Sequence, residues 1–593
     1  MKTSKKDVAN KKRKKITPID GEICCCDDTG MNDASHFFRF IDKFFQANLA
    51  KLSAGISPAS MRNAYFIWLS QLAEAPGLLL ELAWYPVMHT HDCINNVLCA
   101  DLVAGGKDVR FHKESWQYMP WRFWAENFLQ AEDWWRRATH DVPGLPQPVK
   151  RTVSFWARQF LDAFSPSNFV LTNPDLFNET INSNGENLVH GTEVAFEDLF
   201  ERLAGLPPTG AENFIPGKDV AITPGRIVFR NHLIELIQYK PQTKTVFKEP
   251  VLILPAWIMK YYILDLSPNN SLVKWLVHQG HTVFMISWRN PDGNDRDLGM
   301  DDYYRQGAMA AIDKVSAICP KTKINLAGYC LGGTLAMITA AAMERDADDR
   351  LNSLTLFAAQ GDFSEAGELM LFVTESEVSF LKNMMWNQGY LDTKQMAGSF
   401  QMLRAYDLIW SKMIQDYMHG MRRGMIDLTA WNADTTRMPY KMHSEYLEKL
   451  FLNNDFAKGH FLVEGKTIAA ENIRVPIFAV GAENDHVAPW HSVYKIHLMT
   501  KSTITFVLTS GGHNAGIVSE PGHKGRTYSI HEHKKDMPYL DPMNWLNTAK
   551  KRKGSWWKGW HHWLIKQDSP DRVSPPDLDQ KLPAGPGKYV LQK

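Results

Sequence analysis

The pentapeptide Gly328-Tyr329-Cys330-Leu331-Gly332 constrains this chain more than any other feature. It stands between an apolar run at 324–327 and a second apolar stretch at 334–343. A short strand, a glycine-bounded turn and a helix make a nucleophile elbow, which forces its central residue to the tip of a sharp turn. Small residues are needed on both sides because strand and helix backbones pass close together, and Gly328, Gly332 and Gly333 meet that need. The following helix would aim unpaired amides and the positive end of its dipole at Cys330, favouring thiolate over thiol. The competing reading is a buried structural cysteine, since free cysteine is commonly a small core residue.

At 593 residues the chain is too long for one ordinary core, and two or three domains are expected. A formal net charge of +1 supplies no global field for nucleic acid, so no nucleic-acid partner is expected. Twenty tryptophans call for extensive buried aromatic surface or a large apolar binding surface. The seven cysteines are odd in number and irregularly spaced, which points to a reducing cytosol rather than a disulfide framework. The lysine-rich N-terminus is not followed by the apolar region of a secretory signal. The uncharged stretch 326–343 approaches membrane-span length, but its glycine cluster and strand-to-helix character mark a buried elbow. A soluble protein with no transmembrane segment is therefore expected.

Residues 1–35 form a basic, polar tail containing Cys24, Cys25 and Cys26, expected to be disordered and solubilising; contact with an acidic partner or anionic surface is the alternative. From 36 to 215 the pattern is helical, with Phe37, Phe38, Phe40, Ile41, Phe44 and Phe45 at spacings of three and four and a Trp-rich run at 116–135. His91 and Cys93, with His89 and Cys99 nearby, match no common zinc spacing, and no metal is expected. Residues 216–593 read as the catalytic domain. Its predicted strands are 226–230, 233–239, 251–254, 282–287, 324–327, 353–358, 475–481 and 503–508, with helices such as 271–278 and 302–318 between them. Eight strands alternating with helices imply an α/β architecture, a mainly parallel sheet covered on both faces. Between the sixth and seventh strands, 360–474 is a long helical insertion rich in methionine and aromatics, including Phe372, Met384, Met385, Trp386, Phe400, Trp410, Met413, Tyr417 and Trp431. It is placed to cap the sheet's carboxyl edge over an apolar substrate, although many of these side chains are expected to form its own core. After 520 the chain reads as loop-rich, with a basic run at 550–553 and Trp556, Trp557, Trp560 and Trp563 expected to pack on the body.

A cysteine nucleophile after the fifth strand needs a general base and an orienting carboxylate from the ends of later strands. The seventh strand leads into Glu483-Asn484-Asp485-His486 and the eighth into Gly511-Gly512-His513-Asn514. The order Cys330, Asp485, His513 is that of the α/β-hydrolase triad, each member after the expected strand. His513 would take a proton from Cys330 or from an incoming hydroxyl, with Asp485 holding the imidazole. Glu483 and His486 are neighbours that could compete for these roles. Acyl transfer also needs two amides aimed at a developing oxyanion. The amide of Leu331 is one; the loop after the third strand supplies the other, assigned to Trp257 because Pro255 has no N–H to donate.

These segments resemble the polyhydroxyalkanoate synthases of the single-subunit class I type from about 111 to 590. The resemblance is carried by Ser165-Pro166-Ser167-Asn168-Phe169 with Thr172-Asn173-Pro174, Thr223-Pro224-Gly225-Arg226, and Lys260-Tyr261-Tyr262-Ile263-Leu264-Asp265-Leu266. Further matches are Ser287-Trp288-Arg289-Asn290-Pro291, the elbow itself, Asp485-His486 before Pro489-Trp490, and Pro586-Gly587-Lys588-Tyr589-Val590. Departures are Asn514, where the family commonly has an apolar residue, Ala256-Trp257 in the oxyanion loop, and the basic N-terminus. The resemblance implies an α/β-hydrolase fold and an acyltransferase that polymerises (R)-3-hydroxyacyl-CoA into polyester with release of CoA. It implies Cys330 as acyl carrier, His513 as its activator, and Asp485 beside the histidine or activating the substrate's 3-hydroxyl. It further implies no cofactor beyond the CoA thioester substrate, contact with the growing polyester chain and granule surface in the cytoplasm, and a homodimer. Two other readings stay open on the residues: a cysteine-nucleophile hydrolase such as an esterase, dienelactone-hydrolase-like enzyme or polyester depolymerase, and a granule scaffold without turnover.

Overall fold

The computed structural model describes residues 57–98, 108–392, 409–535 and 537–593 with a few positions between 41 and 49, the side chains of 90–98 excepted. The 1–35 stretch with Cys24, Cys25 and Cys26, most of the phenylalanine pattern at 37–45, the side chains of His91 and Cys93, Cys99 and Phe400 lie outside the described residues.

The first part of the described chain is helical, as its apolar periodicity requires. Helix α1 (Pro58–Ala73) starts at Ser57, whose hydroxyl accepts the Ser60 amide, with Pro58 in the first turn where its missing N–H is no loss. It packs with α2 (Pro76–Leu98), α3 (Trp121–His140) and α4 (Gln147–Ala163). Tryptophan N–H groups tie these helices across their interfaces: Trp68 donates to the Ala138 carbonyl at 2.8 Å and Trp134 to the Leu82 carbonyl at 2.9 Å. The partly buried Arg110 guanidinium is surrounded by Asp108, Glu132 and Asp162, which compensates the cost of withdrawing its charge from water. Contacts onto the body include the Ser57 amide donating to Glu377 at 2.8 Å and Phe155 edge-on to Phe372 at 5.7 Å.

The body is a single ten-stranded sheet: β1 (Gly225–Arg230), β2 (Ile234–Tyr239), β3 (Val251–Leu254), β4 (Val283–Trp288), β5 (Ile324–Tyr329), β6 (Leu351–Phe357), β7 (Ile477–Ala482), β8 (Ile504–Thr509), β9 (Thr527–His533) and β10 (Lys550–Lys553). Their spatial order is β1-β2-β4-β3-β5-β6-β7-β8-β9-β10. The run from β4 to β8 is parallel, whereas the pairings at both edges are antiparallel. The sheet therefore has ten strands rather than the eight expected. The eight predicted strands are all present; the additional pair, β9 and β10, reads Thr-Tyr-Ser-Ile-His-Glu-His and Lys-Lys-Arg-Lys, with no continuous apolar face to announce it. Edge strands need no such face, and the exposed lysines of β10 discourage further pairing at the open edge.

Inner strands such as β3 and β7 are buried at every position because helices cover both faces. Helix α5 (Leu331–Arg345), directly after β5, is buried from Leu331 to Met343 and rich in glycine, alanine and threonine, which lets it lie close on the sheet. Helix α6 (Trp557–Gln567) places Trp557 and Trp560 in the core, with Trp560 Nε1 donating to Thr355 Oγ1 at 3.0 Å, so the C-terminal tryptophans pack on the body as expected.

The connection between β6 and β7 carries the insertion. It is not wholly helical: Tyr390–Leu391 pairs with Met438–Pro439, and Phe461–Val463 forms a hairpin with Lys466–Ile468. Met384, Met385 and Trp431 are buried, so part of its methionine and aromatic content is core. Trp560→Ala removes a fully buried indole and its hydrogen bond to β6, and is expected to lower stability by about 3–5 kcal/mol, read from the shift of the urea unfolding midpoint.

Candidate active site

Cys330 lies at the tip of the β5–α5 turn with φ 52° and ψ −120°. A side chain in this region of backbone space carries roughly 1–3 kcal/mol of strain, which persists only where the surroundings over-determine it. Three hydrogen bonds do so. The Cys330 amide donates to the Phe357 carbonyl at 2.9 Å, and the Cys330 carbonyl accepts from Gly333 at 2.9 Å and Thr334 at 3.1 Å. The glycines are dictated by contact. A methyl group at Gly332 would lie 2.1 Å from the Leu254 carbonyl oxygen, one at Gly328 2.5 Å from the Gly332 oxygen, and one at Gly333 2.4 Å from the Ala359 methyl.

The histidine and the carboxylate arrive from adjacent strands. β7 and β8 run parallel with Ala482 opposite Thr509, so the loops that follow leave the sheet side by side. Those loops are stitched by the Glu483 amide to Thr509 and the Asn484 amide to Gly511, both at 2.9 Å. His513 Nδ1 donates to Asp485 Oδ2 at 2.7 Å, while Asp485 Oδ1 accepts the Val487 and Ala488 amides at 2.8 Å each. The Cys330 sulfur lies near enough to the imidazole to act on its charge. Glu483, by contrast, is exposed. The structure thus brings Cys330, His513 and Asp485 together, with the histidine bonded to the carboxylate.

Burial of the ring works against a charged imidazole, but the Asp485 carboxylate and the Cys330 sulfur outweigh it and hold His513 well above the ordinary histidine range. Tyr329 beside it is pushed up, by burial first and then by its neighbours Cys330 and Asp485, so its phenol stays neutral and available to donate. The histidine loop rests on tryptophan: Trp556 Nε1 donates to the Gly516 carbonyl at 2.9 Å and Trp557 Nε1 to that of Ile517 at 3.0 Å.

The loop after β3 crosses directly over Gly332, as the 2.1 Å and 2.6 Å approaches from Leu254 and Pro255 oxygens to a methyl there show. That brings Trp257 and Leu331 onto neighbouring segments, and the Leu331 amide, first in its helix, has no carbonyl one turn earlier to bond. A strap from the insertion fixes this loop. Thr436 Oγ1 donates to the Trp257 carbonyl, its amide to Ile258 at 3.2 Å, and Trp431 Nε1 to the Lys260 carbonyl at 2.8 Å. Tyr446, also from the insertion, packs edge-on to Trp257 at 6.5 Å and to Phe363 at 6.1 Å.

Trp556, Trp557, Thr436 and Asn514 were not singled out as site residues from the sequence. The two tryptophans had a signal in their clustering, but nothing in the chain placed that cluster beneath the histidine loop. Asn514 stood out as a departure from pattern; its side-chain oxygen accepts the Tyr329 hydroxyl at 2.6 Å.

Comparison with known proteins meets this geometry. Residues 36–77 match the family described as "Poly-beta-hydroxybutyrate polymerase N terminal", 107–276 "Poly-beta-hydroxybutyrate polymerase (PhaC) N-terminus", and 249–520 "alpha/beta hydrolase fold". The chain is 38% identical over 493 residues to a poly(3-hydroxyalkanoate) polymerase of Methylorubrum extorquens, covering 82% of this chain and 81% of that one. It belongs to the poly(3-hydroxyalkanoate) polymerase family. Other members include the "Poly(3-hydroxyalkanoate) polymerase subunit PhaC" of Rhizobium meliloti, 37% identical over 82% of this chain and 79% of that one, and its counterpart in Cupriavidus necator, 33% identical over 82% and 83%. As a poly(3-hydroxyalkanoate) polymerase family member it is an enzyme of the acyltransferase type with an α/β-hydrolase fold, as its sequence resemblance implied.

Asp485→Asn removes the charge that stabilises the imidazolium while leaving the ring buried. The His513 pKa is therefore expected to fall, which histidine-selective NMR titration of wild type and variant checks; an unchanged value would contradict the electrostatic assignment.

Proposed function

We propose that this enzyme polymerises (R)-3-hydroxyacyl-CoA into polyhydroxyalkanoate through a covalent thioester on Cys330. The observation that carries the reading is Cys330 on a strained elbow, near enough to His513 to act on its charge, with His513 hydrogen-bonded to Asp485, in a chain of this family. With the thiol proton transferred to His513, whose proton affinity is raised, the sulfur attacks the CoA thioester carbonyl. The Leu331 and Trp257 amides receive the oxyanion, and the C–S bond to CoA breaks as the proton passes from imidazolium to the leaving thiolate. A 3-hydroxyl group then attacks the Cys330 thioester. His513 accepts its proton and returns it to the departing cysteine sulfur, leaving a new oxoester.

Both Asp485 oxygens are already engaged, one by His513 and one by two amides, which favours a role through the imidazole over direct activation of the 3-hydroxyl. Cysteine suits the overall energetics. Exchange between two thioesters is nearly balanced, so the acyl group stays activated, and the driving force falls on the oxoester-forming step. Water must be kept out for the hydroxyl to win, and the aromatic wall of Trp257, Tyr446 and Phe363 provides apolar cover.

The reaction as written uses the CoA thioester as substrate and no resident cofactor. Contact with the growing polyester and a granule surface belongs to the same proposal. It is supported by exposed apolar side chains on the N-terminal helices, Phe66, Leu80 and Trp84 among them, and by Phe196, Phe200 and Leu203 on 186–204. Among the described residues no helix is long and apolar enough to cross a membrane. A homodimer is likewise proposed, on family resemblance.

Purified protein supplied with 3-hydroxybutyryl-CoA is expected to release free thiol and deposit insoluble polyester. Cys330→Ala is expected to lower thiol release by at least about 10³-fold. Thiol release accompanied by free 3-hydroxybutyrate and no polymer would instead establish a hydrolase, and undiminished turnover by Cys330→Ala would remove the cysteine mechanism.

A further inference from the structure

His513 and Asn514 are consecutive, and their side chains enter different networks. The backbone beneath them is firmly held. Gly516 donates to the Gly512 carbonyl at 2.7 Å, Ile517 and Val518 donate to the Asn514 carbonyl at 3.1 and 2.9 Å, and the two tryptophan N–H groups described above secure the next turn. From this pedestal the Asn514 side chain reaches two elements. Its Oδ1 accepts the hydroxyl of Tyr329, the residue before the elbow cysteine, at 2.6 Å, and its Nδ2 donates to Asn432 Oδ1 of the insertion at 3.2 Å. Tyr329 is buried, and its ring lies 5.6 Å from the His513 ring at 37°. The phenol is therefore one wall of the slot in which the imidazole turns, and the Asn514 amide fixes where that wall stands.

Asn432 belongs to the same strap that orients the oxyanion loop. Within six residues that strap places Trp431 on Lys260, Asn432 on Asn514, Asp434 on the Tyr262 hydroxyl at 2.9 Å, and Thr436 on Trp257. One seating of the strap thus touches both the loop assigned to the oxyanion and, through Asn514, the wall beside the histidine.

We propose that Asn514 is a positioning residue that couples the seating of the insertion to the alignment of His513, by bridging the Asn432 side chain to the Tyr329 hydroxyl. The bridge aligns the imidazole on Cys330 when the strap is down and relaxes that alignment when the strap lifts. It acts on turnover rather than on substrate capture, since none of its three side chains is assigned a role in holding the acyl-CoA. The inference rests on acyl transfer at Cys330.

The test is steady-state kinetics with 3-hydroxybutyryl-CoA on the full chain, following thiol release. Asn514→Ala and Tyr329→Phe are each expected to lower kcat about tenfold with KM changed less than twofold, and the double variant to fall no further than either alone, because both remove one link. Asn432→Ala is expected to lower kcat about threefold. Asn432→Asp, which keeps an acceptor for Asn514 Nδ2, is expected to restore it, a rescue that a purely structural role would not produce. A kcat within twofold of wild type for Asn514→Ala, multiplicative effects of positions 514 and 329, or no difference between the alanine and aspartate variants at 432 would overturn the proposal. Should Asn514→Ala fail to fold, Tyr329→Phe, which removes a single oxygen atom, decides by the same kcat criterion. Cys330→Ala run alongside separates the two claims: inactive Cys330→Ala with wild-type Asn514→Ala sinks only the bridge, whereas active Cys330→Ala sinks the mechanism beneath it.

Discussion

The strained backbone at Cys330 is the constraint on which the rest of this structure depends. A residue at φ 52° and ψ −120° holds only if neighbours on every side forbid relaxation. Three glycines let β5, α5 and the β3 loop approach to distances that no β-carbon would allow. Those same approaches set Cys330 at the turn after β5 and carry the loop with Trp257 across it, while the first amide of α5 has no carbonyl one turn earlier to bond. Sequence, strain and chemistry are here one requirement seen at three scales.

Around this fixed point the architecture supplies partners by register. Because β7 and β8 are parallel and aligned, a carboxylate three residues beyond one and an imidazole four residues beyond the other meet without any long excursion of chain. Burial sharpens the pairing. Asp485 accepts two amides and the imidazole, and its carboxylate is the first of the two partners that raise the proton affinity of the buried His513 ring. The tryptophans after residue 555 extend this support: their rings fill the core, and their N–H groups satisfy the carbonyls of the loop that carries the histidine.

Much of this was legible in the chain because it is local. The elbow has a composition forced by contact, the buried inner strands are continuous apolar runs, and Asp485 and His513 each follow such a run directly. What was not legible is set by partners distant in sequence. β9 and β10 are polar and exist as strands because β8 offers an edge to β9, and β9 in turn to β10. The spatial order that puts β3 between β4 and β5 leaves no mark on any one strand. Asn514 gave a hint only as a departure from expectation, since its meaning depends on Tyr329 and Asn432, 185 and 82 residues away. Asp485, by contrast, was preferred to Glu483 on the sequence alone, and in the structure it is buried against the imidazole while Glu483 faces solvent.

The central claim is that the Cys330 sulfur forms a covalent bond to the acyl group. Mass spectrometry of the peptide containing residue 330, after rapid acid quench of enzyme turning over 3-hydroxybutyryl-CoA, measures this directly. The account predicts that this peptide gains the mass of one or more 3-hydroxybutyryl units and loses it on treatment with neutral hydroxylamine, as a thioester should. Polymer accumulating while the peptide stays unmodified at every quench time would contradict it.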